Sequence, residues 1–301
     1  MYKFLVYGAN GWIGSKVYNY LTLDNEVVVI RGNSRVDNVD ELEEEINRLK
    51  PTHVISLIGR THGVYENREY KTIDYLEQPG KLVENVRDNL FSPIVLGSFS
   101  KRYNFHLTYL GTGCIFEYDN DHPFGQEVNG FTEESVPNYF GSSYSIVKGF
   151  TDRLMHILDY NVLNVRIRMP ITDEINPRNF ITKITTYAKI CSVPNSMTVL
   201  NNLLPIMIDM SKNKVVGTIN LTNPGLITHN EILEMYKEIV NPDLVWENFS
   251  IEEQSKVLAS GRSNNYLDTT KLQNMYGDKG LKNIKDAVRD VLVQMKENIN
   301  S

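Results

Sequence analysis

The chain has 301 residues, 41% hydrophobic and 23% charged, with a net charge of −6. That composition is ordinary for a globular protein, and the length suits one large domain with a smaller lobe. Without a long basic run there is no footprint for nucleic acid or an anionic membrane surface, and no stretch of about 18 apolar residues marks a membrane span. The opening residues already read as a strand entering its turn at Gly8, which leaves no room for a signal peptide. Cys114 and Cys191 are too few for a disulfide framework and fit a reducing cytosol. The six histidines lack metal-ligand spacing, so no metal site is expected.

In chain order, apolar runs predict strands over 4–7, 26–30, 53–58, 106–110 and 162–169. Helical spacing predicts helices over 12–21, 39–49, 81–101 and 142–158. Strands alternating with helices define an α/β fold, a doubly wound parallel sheet of the Rossmann type. After Pro170 the pattern changes: a turn at 176–179, a helix over 180–189, and short strands over 197–200 and 217–221. Capping boxes at Thr228/Glu231 and Ser250/Glu253 start later helices, and an amphipathic helix over 283–298 closes the chain. Residues 1–170 are thus expected to form the dinucleotide-binding domain. Residues 171–301 are expected to form mainly a smaller substrate lobe, with some segments returning to the large domain.

Gly8-Ala9-Asn10-Gly11-Trp12-Ile13-Gly14 follows a strand and opens a helix. Gly8 and Gly11 permit a tight turn and close approach of a pyrophosphate, and Gly14 permits close packing of helix on strand. Asn10, Trp12 and Ile13 line the same turn. A carboxylate at the end of the second strand would bind an adenosine 2′-hydroxyl, but here stand Arg31 and Arg35. Arginine pairs with a 2′-phosphate, so NADPH is expected over NADH; the alternative is that both are solvated loop charges.

Tyr144 and Lys148 share one helix face, where an ammonium lowers a phenol enough to protonate an alkoxide. The pair alone is weak in a chain with 17 tyrosines. Its weight comes from following Thr112, at the end of a strand where open α/β sheets bind ligands. Thr112 can share a hydrogen bond with a ketone oxygen, or bond its own backbone as a turn residue.

Together these motifs resemble the extended short-chain dehydrogenase/reductases of nucleotide-sugar metabolism, and most closely the 3,5-epimerase/4-reductases of rhamnose synthesis. The most specific stretches are 112–118, 166–170, 176–184, 194–198, 222–225 with 229–236, and 262–265. The resemblance spans nearly the whole chain and is weakest between Ser56 and Pro93. It implies Tyr144, Lys148 and Thr112 as the reductase set, and Cys114 with Lys183 as an acid/base pair on opposite faces of the sugar. Asn179, Asn195 and Arg262 would hold the sugar and its diphosphate.

The implied reaction converts UDP-4-keto-6-deoxy-D-glucose to UDP-L-rhamnose. The ketone acidifies the C3 and C5 hydrogens, inversion needs a base and an acid, and hydride from NADPH then reduces C4. The implied partners are a nucleotide-diphosphate sugar, an upstream 4,6-dehydratase that makes the ketone, and a second copy packed through helices 81–101 and 142–158. The readings left open are a reductase without epimerase activity, a GDP-linked enzyme of similar chemistry, and a non-catalytic NADP-binding subunit.

Overall fold

The computed structural model describes residues 1–158 and 160–300; Ser301, the end of the expected substrate lobe, lies outside the described residues. The chain divides into two compact units. The first comprises Met1–Thr112, Ser142–Arg166 and Pro205–Ile219, and the second Gly113–Gly141, Ile167–Leu204 and Asn220–Ser301.

The first unit is built on a parallel six-stranded sheet. Its strand order is Gly217–Asn220, Val162–Ile167, His106–Thr112, His53–Ser56, Tyr2–Tyr7, Val27–Arg31. Tyr2–Tyr7 pairs with Val27–Arg31 on one side and His53–Ser56 on the other, so the winding reverses between the first and third strands in the chain. Ligands of open α/β sheets bind beyond the carboxyl ends of strands at such a switch point. The strands bury near-continuous apolar runs, as parallel strands covered on both faces must. Leu5, Tyr7, Val54, Leu107, Tyr109 and Val162 pack against Leu42 and Ile46 of helix Val39–Leu49, Leu96 and Phe99 of helix Ser92–Arg102, and Met155 of helix Ser143–Ile157.

The helix expected over 81–101 is interrupted. Helices Leu82–Val86 and Ser92–Arg102 flank a π-helical turn, Arg87–Phe91. Pro93 has no N–H to give the Asn89 carbonyl four residues back. The Thr151 hydroxyl takes its place, donating to the Asn89 oxygen at 2.6 Å.

The second unit has its own core. Ile171, Ile181, Ile184, Met197, Val199, Ile232 and Leu233 pack on Ile284, Ala287, Val288, Val291, Leu292 and Met295. The last six repeat at helical spacing along Ile284–Asn300, which is why that helix forms. Both capping boxes are present, at Thr228/Glu231 and Ser250/Glu253. The helix expected over 180–189 stops at Ile184. There the Thr185 and Thr186 hydroxyls donate to the Thr182 and Lys183 carbonyls at 3.1 and 2.7 Å, a side-chain competition that ends helices.

Candidate active site

The glycine turn closes as its spacing requires. Gly8 has φ +78°, and a Cβ there would meet the Leu57 carbonyl carbon at 2.9 Å. A Cβ on Gly14 would lie 2.0 Å from the Gly8 oxygen. Helix Trp12–Thr22 starts on Gly11, which brings no side-chain acceptor, and has no acidic residue in its first turn. A helix start with bare backbone and no competing carboxylate suits a pyrophosphate. These residues therefore fit a dinucleotide.

Arg31 lies against this turn. Its Nη1 donates to the Asn10 Oδ1 at 2.7 Å and the Ala9 oxygen at 3.2 Å, and its guanidinium stacks 3.9 Å from the centre of the Tyr18 ring. Arg35 instead pairs with Asp37 at 2.8 Å and is largely exposed. The sequence gives no sign that Glu45, one turn from the end of its helix, reaches the same loop. Its carboxylate accepts from the Asn33 and Ser34 amides and from the Ser34 and Tyr7 hydroxyls. Burial pushes this carboxyl up, but the four donors hold it below the usual range.

The loop after His53–Ser56, where the resemblance is weakest, is held by the π turn. Asn89 exchanges hydrogen bonds with the Arg60 backbone, both at 2.9 Å, and Asp88 pairs with Arg60 at 2.9 Å.

Thr112 ends its strand and is buried. Tyr144 and Lys148 lie on the first turns of Ser143–Ile157. That helix is capped by Ser142, whose hydroxyl accepts from the Ser145 amide at 3.1 Å, and Glu77 accepts from the Ser143 amide at 2.8 Å. Tyr144 is half-buried and Lys148 buried. The Lys148 ammonium donates to the Tyr109 hydroxyl. Burial first, then the fields of Tyr144 and Asp152, push the Tyr109 phenol far above its ordinary range, so it stays a neutral acceptor. Tyr109 is a residue that sequence reasoning missed; it sits inside an apolar strand and carries no motif.

In the second unit Cys114 is half-buried and not disulfide-bonded. It follows Gly113, whose carbonyl accepts from Arg168 at 3.1 Å and from Asn265 at 2.9 Å. Asn195 belongs to the same group: its Oδ1 accepts from Arg168 at 2.8 Å and the Asn265 amide at 3.0 Å, and its Nδ2 donates to Asn264 at 2.8 Å.

Lys183 is half-buried on helix Phe180–Ile184. Burial first, then Arg178 and Arg262, hold its ammonium below the ordinary lysine range. Arg262 donates to the Ser260 carbonyl at 2.9 Å. Asn179 caps the Lys183 helix and is fully buried. Its Nδ2 donates to the Thr172 and Glu174 carbonyls, both at 2.8 Å, so its amide organises the loop before Lys183. Arg168 thus ties Asn195 to the Gly113 carbonyl beside Cys114, while Asn179 caps the Lys183 helix and Arg262 adds its positive field to Lys183.

No family model matches the chain. Individual relatives do. The L780 UDP-rhamnose synthase of Acanthamoeba polyphaga mimivirus, known from a crystal structure, superimposes with a TM-score of 0.91 at 54% identity, over 97% of this chain and 99% of that one. The bifunctional dTDP-4-dehydrorhamnose 3,5-epimerase/dTDP-4-dehydrorhamnose reductase of Arabidopsis thaliana is 40% identical over 95% of this chain and 91% of its own. A trifunctional UDP-glucose 4,6-dehydratase/UDP-4-keto-6-deoxy-D-glucose 3,5-epimerase/UDP-4-keto-L-rhamnose-reductase of the same plant is 40% identical, and the chain spans 41% of it. The chain belongs to the nucleotide-sugar 3,5-epimerase/4-reductase family of rhamnose synthesis, a branch of the short-chain dehydrogenase/reductases.

Proposed function

We propose that the protein converts UDP-4-keto-6-deoxy-D-glucose to UDP-L-rhamnose, epimerising C3 and C5 and reducing C4 with NADPH. Identity of 54% with a UDP-rhamnose synthase over nearly the full length supports the substrate. The observation that carries the epimerase half is Lys183, a half-buried lysine held below its ordinary range by burial and by two arginines. A lysine so held can exchange a proton with carbon, a step that reduction alone does not require.

In this reading Cys114 removes a carbon-bound proton and Lys183 delivers one to the opposite face. Thr112 and Tyr144 donate hydrogen bonds to the carbonyl oxygen, which strengthen as enolate charge develops. NADPH, when bound, supplies the hydride that reaches C4. Tyr144 gives its proton to the resulting oxygen, and Lys148, steadied by Tyr109, lowers the cost of the phenolate left behind. Gly8, Asn10, Gly11, Trp12, Ile13 and Gly14 form the cradle for the cofactor pyrophosphate, with Arg31 toward the 2′-phosphate and Arg35 further out. Arg262 faces the sugar diphosphate, while Asn179 and Asn195 hold the frame on which Lys183 and Cys114 stand.

A 4,6-dehydratase must supply the ketone. Two cysteines outside any disulfide fit a cytosolic enzyme. Exposed Leu82, Val83 and Phe91, with Ile146, Phe150, Leu154 and Ile157 along the neighbouring helix, form an apolar face that suits a second copy of the chain. Purified protein given UDP-4-keto-6-deoxyglucose and NADPH should yield UDP-rhamnose with matching loss of NADPH absorbance. An unchanged sugar, or a product inverted at neither C3 nor C5, refutes the reading. Sedimentation at micromolar concentration should give twice the chain mass, and a monomer there removes the dimer.

A further inference from the structure

The loop after Val27–Arg31 turns its backbone inward. The Gly32 amide donates to the Val6 carbonyl at 2.9 Å, and the Asn33 and Ser34 amides donate to the Glu45 carboxylate at 3.0 and 3.2 Å. Glu45 comes from helix Val39–Leu49, is 4% exposed, and also accepts from the Tyr7 hydroxyl at 2.8 Å and the Ser34 hydroxyl at 2.6 Å. Tyr7 is the last residue of its strand, directly before Gly8 of the dinucleotide turn. The loop lies tight on that ring: a Cβ on Gly32 would stand 2.3 Å from the Tyr7 Cδ1.

One carboxylate therefore ties the end of the first strand to the loop beyond the second, where sheets of this type hold the adenosine ribose. Both of its oxygens are filled by donors from the protein, so Glu45 offers little to a ribose 2′-hydroxyl, although an acid in this neighbourhood ordinarily binds one. Three successive loop amides are spent within the protein, so the loop presents no backbone nest to a phosphate. Recognition of a 2′-phosphate then falls to side chains. Arginines stand at either side of the loop: Arg31 before Gly32, lying on Asn10 and Ala9, and Arg35 after Ser34, largely exposed.

We propose that Glu45 is a positioning residue for cofactor selectivity: by folding the 32–34 loop inward it sets Arg31 and Arg35 toward the 2′-phosphate of NADPH. The inference rests on the assignment of those two arginines to the phosphate and adds what holds them there. Burial favours the neutral acid, but the donors keep the carboxyl below its usual range, so at neutral pH it is ionised and every acceptor site serves the loop and Tyr7.

The test is fluorescence titration of the full chain with NADPH and with NADH, without sugar, read as the ratio of the two dissociation constants. Glu45→Gln keeps the shape but leaves a single oxygen to serve the donors, so the loop loosens. The preference for NADPH should fall about fivefold or more, through weaker NADPH binding with NADH nearly unchanged. Glu44→Gln removes the same charge from an exposed neighbour on the same helix and should leave the ratio within about twofold. A loss shared equally by both cofactors, the mark of a merely structural role, overturns the proposal, as does a ratio for Glu45→Gln that stays the same or rises. A parent with no preference for NADPH overturns the selectivity reading itself and the proposal with it. Where Glu45→Gln does not fold, hydrogen exchange at the Asn33 and Ser34 amides of the parent decides. Both should be protected before any cofactor is added, and equally so with NADPH or NADH. Amides that exchange freely until NADPH alone protects them bind the phosphate themselves, and overturn the proposal.

Discussion

Gly14→Ala is the sharpest test of how the dinucleotide turn is packed. The added methyl would sit 2.0 Å from the Gly8 oxygen, 2.8 Å from the Gly8 carbonyl carbon and 2.9 Å from the Ala9 Cα. All three are backbone atoms, so no side chain can swing aside, and helix Trp12–Thr22 must move off the strand by about 1 Å to restore ordinary contact. Overpacking of this kind costs about 3 kcal/mol, the upper end for inserted methyl groups. At roughly 2–4 °C per kcal/mol, the first melting transition should fall by about 6–12 °C. The displaced helix start should also weaken NADPH about tenfold by fluorescence titration, because the pyrophosphate relies on that terminus. Gly277→Ala is the control: it has nothing within 4 Å of its Cβ and an ordinary φ of −52°, and should melt within about 1 °C of the parent or slightly higher. A Gly14→Ala protein that melts and binds NADPH like the parent would refute the packing argument.

Arg31→Ala removes the guanidinium that lies on Asn10 and Ala9, and should weaken NADPH by about 10–100-fold while leaving NADH nearly unchanged; equal loss on both cofactors would deny it a role in their discrimination. Stability should fall in acid through the buried histidines. Burial holds His53 and His229 at about 4, against about 6.5 when unfolded. The unfolded chain binds the extra protons, so stability is complete above about pH 6.5 and is lost as pH falls toward about 4. His53→Gln with His229→Gln should flatten the melting temperature over that window, and an unchanged slope would assign acid sensitivity to other groups.

What the sequence made legible was local. The glycine turn, the Tyr144/Lys148 spacing and both capping boxes depend on residues within one turn or loop, and the structure forms each of them. What it hid depends on contacts far along the chain. Glu45 reads as one more acid on an acidic helix, yet it closes the loop after the second strand. Tyr109 reads as core, yet it takes the Lys148 ammonium. Arg166 and Arg168 look alike in an apolar run. The structure gives Arg166 a buried bidentate partner in Asp152, at 2.7 and 2.9 Å, whereas among the described residues Arg168 bonds only neutral acceptors. Asn179 and Asn195 stand in motifs that suggest ligand contact, but their amides are bound to backbone and neighbouring side chains, a commitment that no spacing reveals. The excursion of Gly113–Gly141 into the second unit likewise leaves no mark in composition.

In the proposed mechanism one chain both moves protons on carbon and reduces a ketone, and Cys114 is needed for the first. Incubation of Cys114→Ser in deuterated water with UDP-4-keto-6-deoxyglucose measures this most directly, with deuterium at C3 and C5 read by mass spectrometry. Incorporation should fall by about 100-fold or more, the usual loss on removing an acid/base group, while reduction of an already epimerised ketone continues. Incorporation at the parent rate would contradict it.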